Sequence, residues 1–240
     1  MKKLLIVSMI AFSFSACDLE QILSTAGTNT GDSITEQEAA SGLKDALTVG
    51  ISKGADLLSQ RDAYFSDPVI HIPWPDDAVK VANALRTLGL NQLVDNVELS
   101  LNRAAEDAAI KAKPIFINAI KQITLRDVMN ILFGADDAAT QYLKGATSNA
   151  LTLAFRPVIE TSLDKVNATK YWEEVMTRYN QIPFVKPVTS DLPGFVTSKA
   201  LDGLFIKVAE EEAQIRSNPL ERSTTILKKV FGYYDKHKNQ

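Results

Sequence analysis

Two adjacent aspartates, Asp136 and Asp137, come closest in this sequence to a catalytic arrangement. A pair of carboxylates can serve as general acid and base, and Thr140 and Tyr142 follow closely along the chain. Neighbouring residues of a helix, however, point about 100° apart, so these carboxylates do not converge on one atom as a catalytic pair must. Because both acids lie where a helix is predicted to begin, we expect them to cap that helix rather than to catalyse a reaction.

Charged residues beside apolar helix stripes form a second group of candidates. Arg103 follows Asn102 in an alanine-rich segment, and Lys199 and Asp202 interrupt a later apolar stripe. Buried charge is costly unless it is paired, so we expect a salt bridge that clamps two helices. The alternative is a polar pocket between helices, where bundles usually bind their ligands. The candidate polar site therefore comprises Arg103, Asp136, Asp137, Thr140, Tyr142, Lys199 and Asp202.

Other catalytic or metal-binding groups are scarce. The chain has two histidines, His71 and His237, and a single cysteine, Cys17. A Ser–His–Asp relay would have to use one of these histidines, and we expect His71 to pack within a loop instead. Metal sites built from His and Cys are excluded by count, and no EF-hand spacing is present. We therefore predict no metal, no cofactor, and a binding protein in preference to an enzyme.

Two further stretches are predicted to have structural roles, and the first of them also has a functional alternative. The aromatic and proline-bearing stretch from Tyr64 to Trp74 is either a loop folded over the core, which we favour, or a surface that contacts lipid, glycan or protein. Within it, residues 69–72 form the one segment that could be a short strand. The three glutamates at 210–212 are predicted to form a solvated helix face, with Arg216 pairing back onto it.

The first residues have the layout of a bacterial export signal. Lys2 and Lys3 precede a short apolar run, small residues follow, and Cys17 stands at the cleavage point, which resembles a lipobox. The apolar run is about half the length of a membrane-spanning helix. We predict a signal peptide over residues 1–16, lipid on Cys17 and a flexible tether to residue 34. The protein would then be anchored in the cell envelope, facing the periplasm or on the outer membrane.

The elements that must position the candidate residues are nearly all helical. Thr35 and Glu38 form a predicted capping box, and apolar residues then recur at three- and four-residue steps. No alternation of strands and helices supports a parallel sheet. We predict an all-α domain of about nine or ten helices over residues 35–232, followed by a polar tail over 233–240. The formal net charge of −3 with no basic stripe argues against a nucleic-acid partner.

A resemblance follows from several motifs. The run Gly-Ala-Asp-Asp-Ala-Ala-Thr-Gln-Tyr at residues 134–142 resembles the signature of the bacterial family called domain of unknown function 4197. Similar stretches are found at residues 101–105, 162–166, 179–185, 200–205, 210–219 and 229–232. The resemblance implies a helical, exported and often lipid-anchored protein. It implies no reaction and no catalytic residues.

Three functions remain in order of preference. The first is a non-catalytic binding or scaffold module of the envelope, because a nucleophile–base set is lacking and helix-packing surface is abundant. The second is a carrier whose core holds a lipid or another apolar ligand. The third is an envelope hydrolase that uses Asp136 and Asp137. The expected partners are the membrane, reached through the lipid, and either an envelope protein or a small apolar ligand.

Overall fold

The computed structural model describes residues 34–181, 186–188, 191–222 and 224–237. Within these ranges the chain forms α-helices and two short 3₁₀ turns, with no strand, so the all-α prediction is confirmed. The described residues form nine α-helices: α1 (Glu36–Leu58), α2 (Val79–Thr87), α3 (Asn91–Ala109), α4 (Ala112–Gln122), α5 (Leu125–Leu132), α6 (Ala138–Lys165), α7 (Ala168–Asn180), α8 (Leu192–Ser217) and α9 (Thr225–His237). The predicted signal peptide and Cys17 lie outside the described residues, as does the tether before Ile34.

Helix α1 begins with the predicted capping box. The Glu38 amide donates to Thr35 Oγ1 over 3.2 Å, and the Thr35 amide donates to Glu38 Oε2 over 3.0 Å. Its predicted apolar stripe is buried: Leu43, Ala46, Leu47, Ile51, Ala55 and Leu58. This stripe lets α1 pack against α4, α5, α8 and α9.

The carboxylate of Glu38 also joins α1 to the last helix. Lys229 in α9 donates to it, and this bond together with the Thr35 amide lowers the pKa of Glu38 to about 2. The ionised carboxylate therefore stabilises the fold above its unfolded pKa, and this contribution is lost as the pH falls through the folded pKa. Helix α9 continues to His237, into the segment predicted to be a polar tail, because Tyr234 is buried against Phe231.

Helices α6 and α8 form the centre of the domain and run antiparallel. Glu212, near the end of α8, contacts Ala139 at the start of α6, while Arg156 of α6 pairs with Asp191 just before α8. Both helices also pack against α3. The sequence predicts a break at Gly145, and this prediction is wrong, since α6 runs through it without interruption. A glycine inside a helix costs about 1 kcal/mol, which the burial of the same helix against α3, α4 and α8 outweighs.

A buried ion pair fixes the turn between α5 and α6. Arg216 donates through Nε and Nη2 to Glu212 Oε1, over 2.9 and 2.8 Å, and both residues are buried. Arg216 also donates to the carbonyls of Ile131 and Leu132, which are the last residues of α5. Glu212 accepts hydrogen bonds from backbone amides in the first turn of α6, so the pair caps the end of α5 and the start of α6.

The prediction of a solvated face at 210–212 is therefore wrong for Glu212, whereas the predicted pairing with Arg216 is confirmed. Glu210 remains exposed and pairs with Lys207, and Glu211 pairs with Lys53. The three glutamates differ because successive helix residues point about 100° apart, and only Glu212 points towards the ends of α5 and α6.

The loop from Tyr64 to Trp74 folds over the core, and the strand suggested for residues 69–72 does not form. Tyr64, Ile70, Ile72 and Trp74 are buried. The Asn102 side chain accepts from the Ile72 amide and donates to the Ile72 carbonyl, both over 2.9 Å. Because this side chain satisfies the backbone groups that a neighbouring strand would bond, no strand partner is needed.

The loop also requires Gly203. A Cβ atom at this position of α8 would lie 2.8 Å from the Tyr64 ring and 3.1 Å from Ile70 Cβ. The Tyr64 hydroxyl donates to the Ala200 carbonyl over 2.7 Å. The missing side chain therefore lets the loop lie directly on α8.

Replacing Glu212 by alanine should destabilise the domain by about 3–5 kcal/mol, because Arg216 would be left buried without its anion and α6 would lose its cap. The measurement is urea unfolding followed by circular dichroism. Glu210→Ala is the matched control, and we expect it to cost less than about 1 kcal/mol. Equal losses for the two variants would contradict the assigned role of Glu212.

Candidate functional site

The structure divides the predicted polar site between different places. Asp137, Thr140, Lys199 and Asp202 line one open cavity of about 650 Å³ between α6, α8 and the loop at residues 69–73. Its further polar lining comes from His71, Gln141 and Lys144, and we call this space the polar groove.

The other three predicted residues lie away from the polar groove. Arg103 lines a different cavity. Asp136 is exposed and lines none of the cavities described for this domain. Tyr142 is half-buried, and its burial together with the nearby charge of Asp127 raises the pKa of its hydroxyl. Asp136, Asp137, Tyr142 and Arg103 are therefore not brought together as a hydrolytic site would require.

The prediction that a helix begins at Asp136 or Asp137 is confirmed, but the predicted capping hydrogen bond does not form. Asp137 stands at the cap position of α6, yet its carboxylate accepts no hydrogen bond from the backbone amides of the first turn and instead accepts from Gln141 Nε2 over 2.9 Å. The Ala139 and Thr140 amides donate to Glu212, over 3.0 and 2.8 Å. A carboxylate from another helix thus performs the capping predicted for the local pair.

The predicted clamp between helices is also different in detail. Arg103 donates to Glu106 Oε2 and Asp62 Oδ1, each over 2.6 Å, so it ties α3 to the loop after α1 rather than to another helix. Lys199 and Asp202 are both exposed, and within the described ranges neither has an ion-pair partner. The polar-pocket alternative therefore describes these two residues better than the clamp does.

His71 is committed to the loop, as expected. Its Nδ1 atom lies 2.9 Å from the Phe65 carbonyl and its Nε2 atom 2.8 Å from Glu98 Oε1. Among the residues that the structure describes, no three carboxylate or imidazole side chains are grouped as metal ligands. No helix in the same ranges is long and apolar enough to cross a membrane.

A second cavity, which the sequence did not predict, has mainly apolar walls. It has a volume of about 470 Å³ and lies between the α2–α3 hairpin on one side and the end of α6 with α7 on the other. Its apolar lining consists of Trp74, Leu85, Leu93, Val97, Leu99, Val166, Ala168, Tyr171, Trp172 and Met176. We call this space the apolar cleft.

Two turns with left-handed backbone hold the apolar cleft open. Gly89, with φ of 79°, reverses the chain between α2 and α3, and Asn167, with φ of 57°, does so between α6 and α7. Gly and Asn are the residues that adopt this conformation most readily. A signal for the cleft is present in the sequence, because Leu85, Leu88, Leu90 and Leu93 surround Gly89 and exceed what one buried helix face needs.

Tryptophan is concentrated at this cleft. The chain contains two tryptophans, and both Trp74 and Trp172 line the apolar cleft with ring centroids 5.4 Å apart. The Trp74 indole donates to the Val94 carbonyl over 3.2 Å, which fixes this ring against α3. At the rim, Leu93, Val166 and Tyr171 keep 47–58% of their surface exposed.

A family model described as a protein of unknown function, DUF4197, matches residues 33–232. The chain belongs to the DUF4197 family. The match covers every helix through α8 and most of α9, so the resemblance noted in the sequence is confirmed. No curated protein and no solved structure matches this DUF4197 chain. Its function must therefore be argued from its own cavities.

Asp136→Ala and Asp137→Ala should each lower the free energy of unfolding by less than about 1 kcal/mol, because neither carboxylate bonds a backbone amide of α6. What is lost is a surface interaction with the helix dipole and, for Asp137, an exposed hydrogen bond to Gln141. Thr140→Val, which removes the buried hydroxyl bonded to Glu212 Oε2 over 2.8 Å, should cost more than either change. Urea titration of the three variants measures this. A larger loss for an aspartate variant would restore the capping interpretation.

Proposed function

We propose that this DUF4197 protein is a non-catalytic binding module that holds an apolar ligand in the apolar cleft. The observation that carries the proposal is a preformed cleft of about 470 Å³ lined by two tryptophans and several aliphatic side chains. Ligand cavities typically have volumes of about 300–1,000 Å³, mainly apolar walls and a few polar groups. The apolar cleft meets each of these criteria.

Exposed rim residues supply a driving force for binding. Leu93, Val166 and Tyr171 are exposed to water, and burial of apolar surface contributes roughly 25 cal/mol per Å². An apolar ligand seated between the α2–α3 hairpin and α7 would cover these side chains together with the two indole rings. The affinity for the ligand would thus come mainly from burying apolar side chains that the folded protein leaves exposed.

The polar groups in the cleft favour an uncharged ligand. Among the described residues that line the cleft, Arg103 alone is charged, and its guanidinium already bonds two carboxylates. Ser100 donates to the Val97 carbonyl and Ser162 to Asp107, so their protons are in use. What remains are the hydroxyl lone pairs and the N–H groups of Asn96, whose amide oxygen already accepts from Gln92, and these suit a neutral hydroxyl or amide head.

A hydrolase has less support. The carboxylates of Asp136 and Asp137 do not share a cavity with Arg103 or Tyr142, and the one histidine near the polar groove is held by Phe65 and Glu98. General acid–base chemistry needs such groups within hydrogen-bond reach of one substrate atom.

A brominated long-chain alcohol provides a direct test of the cleft. Bromine quenches tryptophan fluorescence at short range, so titration of the full-length protein should give saturable quenching of Trp74 and Trp172. Leu93→Asp places a charge at the apolar rim and should weaken binding at least tenfold. Leu153→Asp, at a residue 78% exposed on α6 and outside the apolar cleft, is the matched control and should bind as the wild type does. Quenching that does not saturate, or that is equal in both variants, would refute the proposal.

We further propose that the module acts in the cell envelope, exported and anchored by lipid on Cys17. The support is the basic, apolar and small-residue order of residues 1–16 before the only cysteine. More than one acyl chain is needed for stable anchoring, and a diacylated cysteine supplies it.

Cells grown with a radiolabelled fatty acid should incorporate label into the wild-type protein and not into Cys17→Ala. The wild type should sediment with membranes, whereas the variant should not. Label that persists in Cys17→Ala, or its absence from the wild type, would remove the anchor from the proposal. The binding test of the apolar cleft does not depend on this result.

A further inference from the structure

The polar groove is longer than its main cavity. A second cavity of about 260 Å³ continues along the contact between α6 and α8, and it shares Lys144, Asp202 and Phe205 with the first. Its additional lining includes Ser148, Thr152, Arg156 and Ser198. Because the two cavities share residues, they form one continuous groove on this face of the domain.

One face of α6 forms a wall of this groove. Asp137, Gln141, Lys144, Ser148, Thr152 and Arg156 follow one another at steps of three or four residues. This spacing places them on one side of the helix, over a length of about 28 Å at 1.5 Å per residue. A peptide in an extended conformation rises about 3.3 Å per residue, so roughly eight residues would fill this length.

Charged side chains without ion-pair partners lie at the residues that the two cavities share and beside them. The side chains of Lys144, Lys199 and Asp202 are exposed, and in the described part of the chain none of these three side chains makes an ion pair or a hydrogen bond. The ammonium groups are nevertheless positioned, since Lys144 Nζ lies 5.8 Å from the centroid of Phe205 and Lys199 Nζ 6.0 Å from that of Phe195. Cation–π contacts of this kind hold a charge near a ring while leaving its N–H groups available.

These unpaired charges restrict the chemistry of a ligand. A molecule that covers Lys144, Lys199 and Asp202 takes them out of water, which is unfavourable unless it brings opposite charges. At these three positions, two ammonium groups and one carboxylate call for two anionic groups and one cationic group, while the Asp137 carboxylate at the end of the groove is hydrogen-bonded to Gln141. A neutral polymer would leave all three charges desolvated and unmatched.

The hydroxyl groups of the walls favour a ligand that donates hydrogen bonds. Ser148 donates to the Lys144 carbonyl, Thr152 to the Ser148 carbonyl and Thr197 to the Pro193 carbonyl. Their protons are therefore in use, and their oxygens present lone pairs towards the groove. Backbone N–H groups of an extended peptide are donors at regular intervals and fit such a wall.

We propose that the polar groove binds an extended peptide segment of a partner protein, with acidic side chains opposite Lys144 and Lys199 and a basic side chain opposite Asp202. This site is separate from the apolar cleft, and it gives the module a protein partner in addition to an apolar ligand. The two proposals stand or fall independently because they use different walls of the domain.

The test is selection from a random nine-residue peptide library on the full-length protein. We expect the enriched peptides to combine acidic residues with one basic residue and to bind at least tenfold more weakly to Lys144→Glu/Lys199→Glu/Asp202→Lys. All three positions are exposed, so this charge-reversed variant should fold as the wild type does. Selection on the variant itself should enrich peptides of the opposite charge pattern. Lys228→Glu, at an exposed position of α9, is the matched control and should select the wild-type peptides.

Three outcomes would overturn the proposal. In the first, no peptide is enriched above the background of the support. In the second, the charge-reversed variant selects the same peptides as the wild type, which would place their site elsewhere. In the third, a panel of oligosaccharides binds the wild type and loses affinity in the charge-reversed variant, which would assign the polar groove to a glycan instead.

Discussion

The buried pair of Glu212 and Arg216 is the interaction on which the arrangement of the domain depends. Neither charge reaches water freely, so each must be satisfied by the other and by backbone groups. Glu212 takes amides at the start of α6, and Arg216 takes carbonyls at the end of α5. The pair thereby joins α8 to the end of α5 and to the start of α6. Because α6 lines both cavities, fixing its position also fixes where the cavities lie.

Helix α6 contributes walls to both cavities but with opposite chemistry. Its first five turns present amides, hydroxyls and charges to the polar groove, whereas its last turn and Val166, which directly follows it, line the apolar cleft. One rigid element therefore separates a surface suited to charged ligands from a surface suited to apolar ones. The match to the DUF4197 family model includes the residues that line both cavities.

Much of the fold follows from sequence, and much of the site does not. The capping boxes at Thr35 and Thr124 and the buried stripe of α1 are local patterns, which a short stretch of sequence contains in full. The cap of α6 comes from a residue more than seventy positions away, and no local pattern shows that Glu212 rather than Asp137 bonds its amides. Periodicity likewise tells which side of a helix is apolar but not which helices leave a gap, so the apolar cleft escaped prediction. The resemblance to DUF4197 gave the fold and no residue roles.

The loop from Tyr64 to Trp74 has a consequence for the order in which the chain folds. The Tyr64 hydroxyl donates to the carbonyl of Ala200, which is 136 residues away, and backbone amides of the loop donate to the side chains of Asn102 and Glu106 in α3. Bringing together residues so far apart in the chain costs conformational entropy before the contact between them forms. We therefore expect the loop to dock late in folding, after α3 and α8 have come together and over a core that is already assembled.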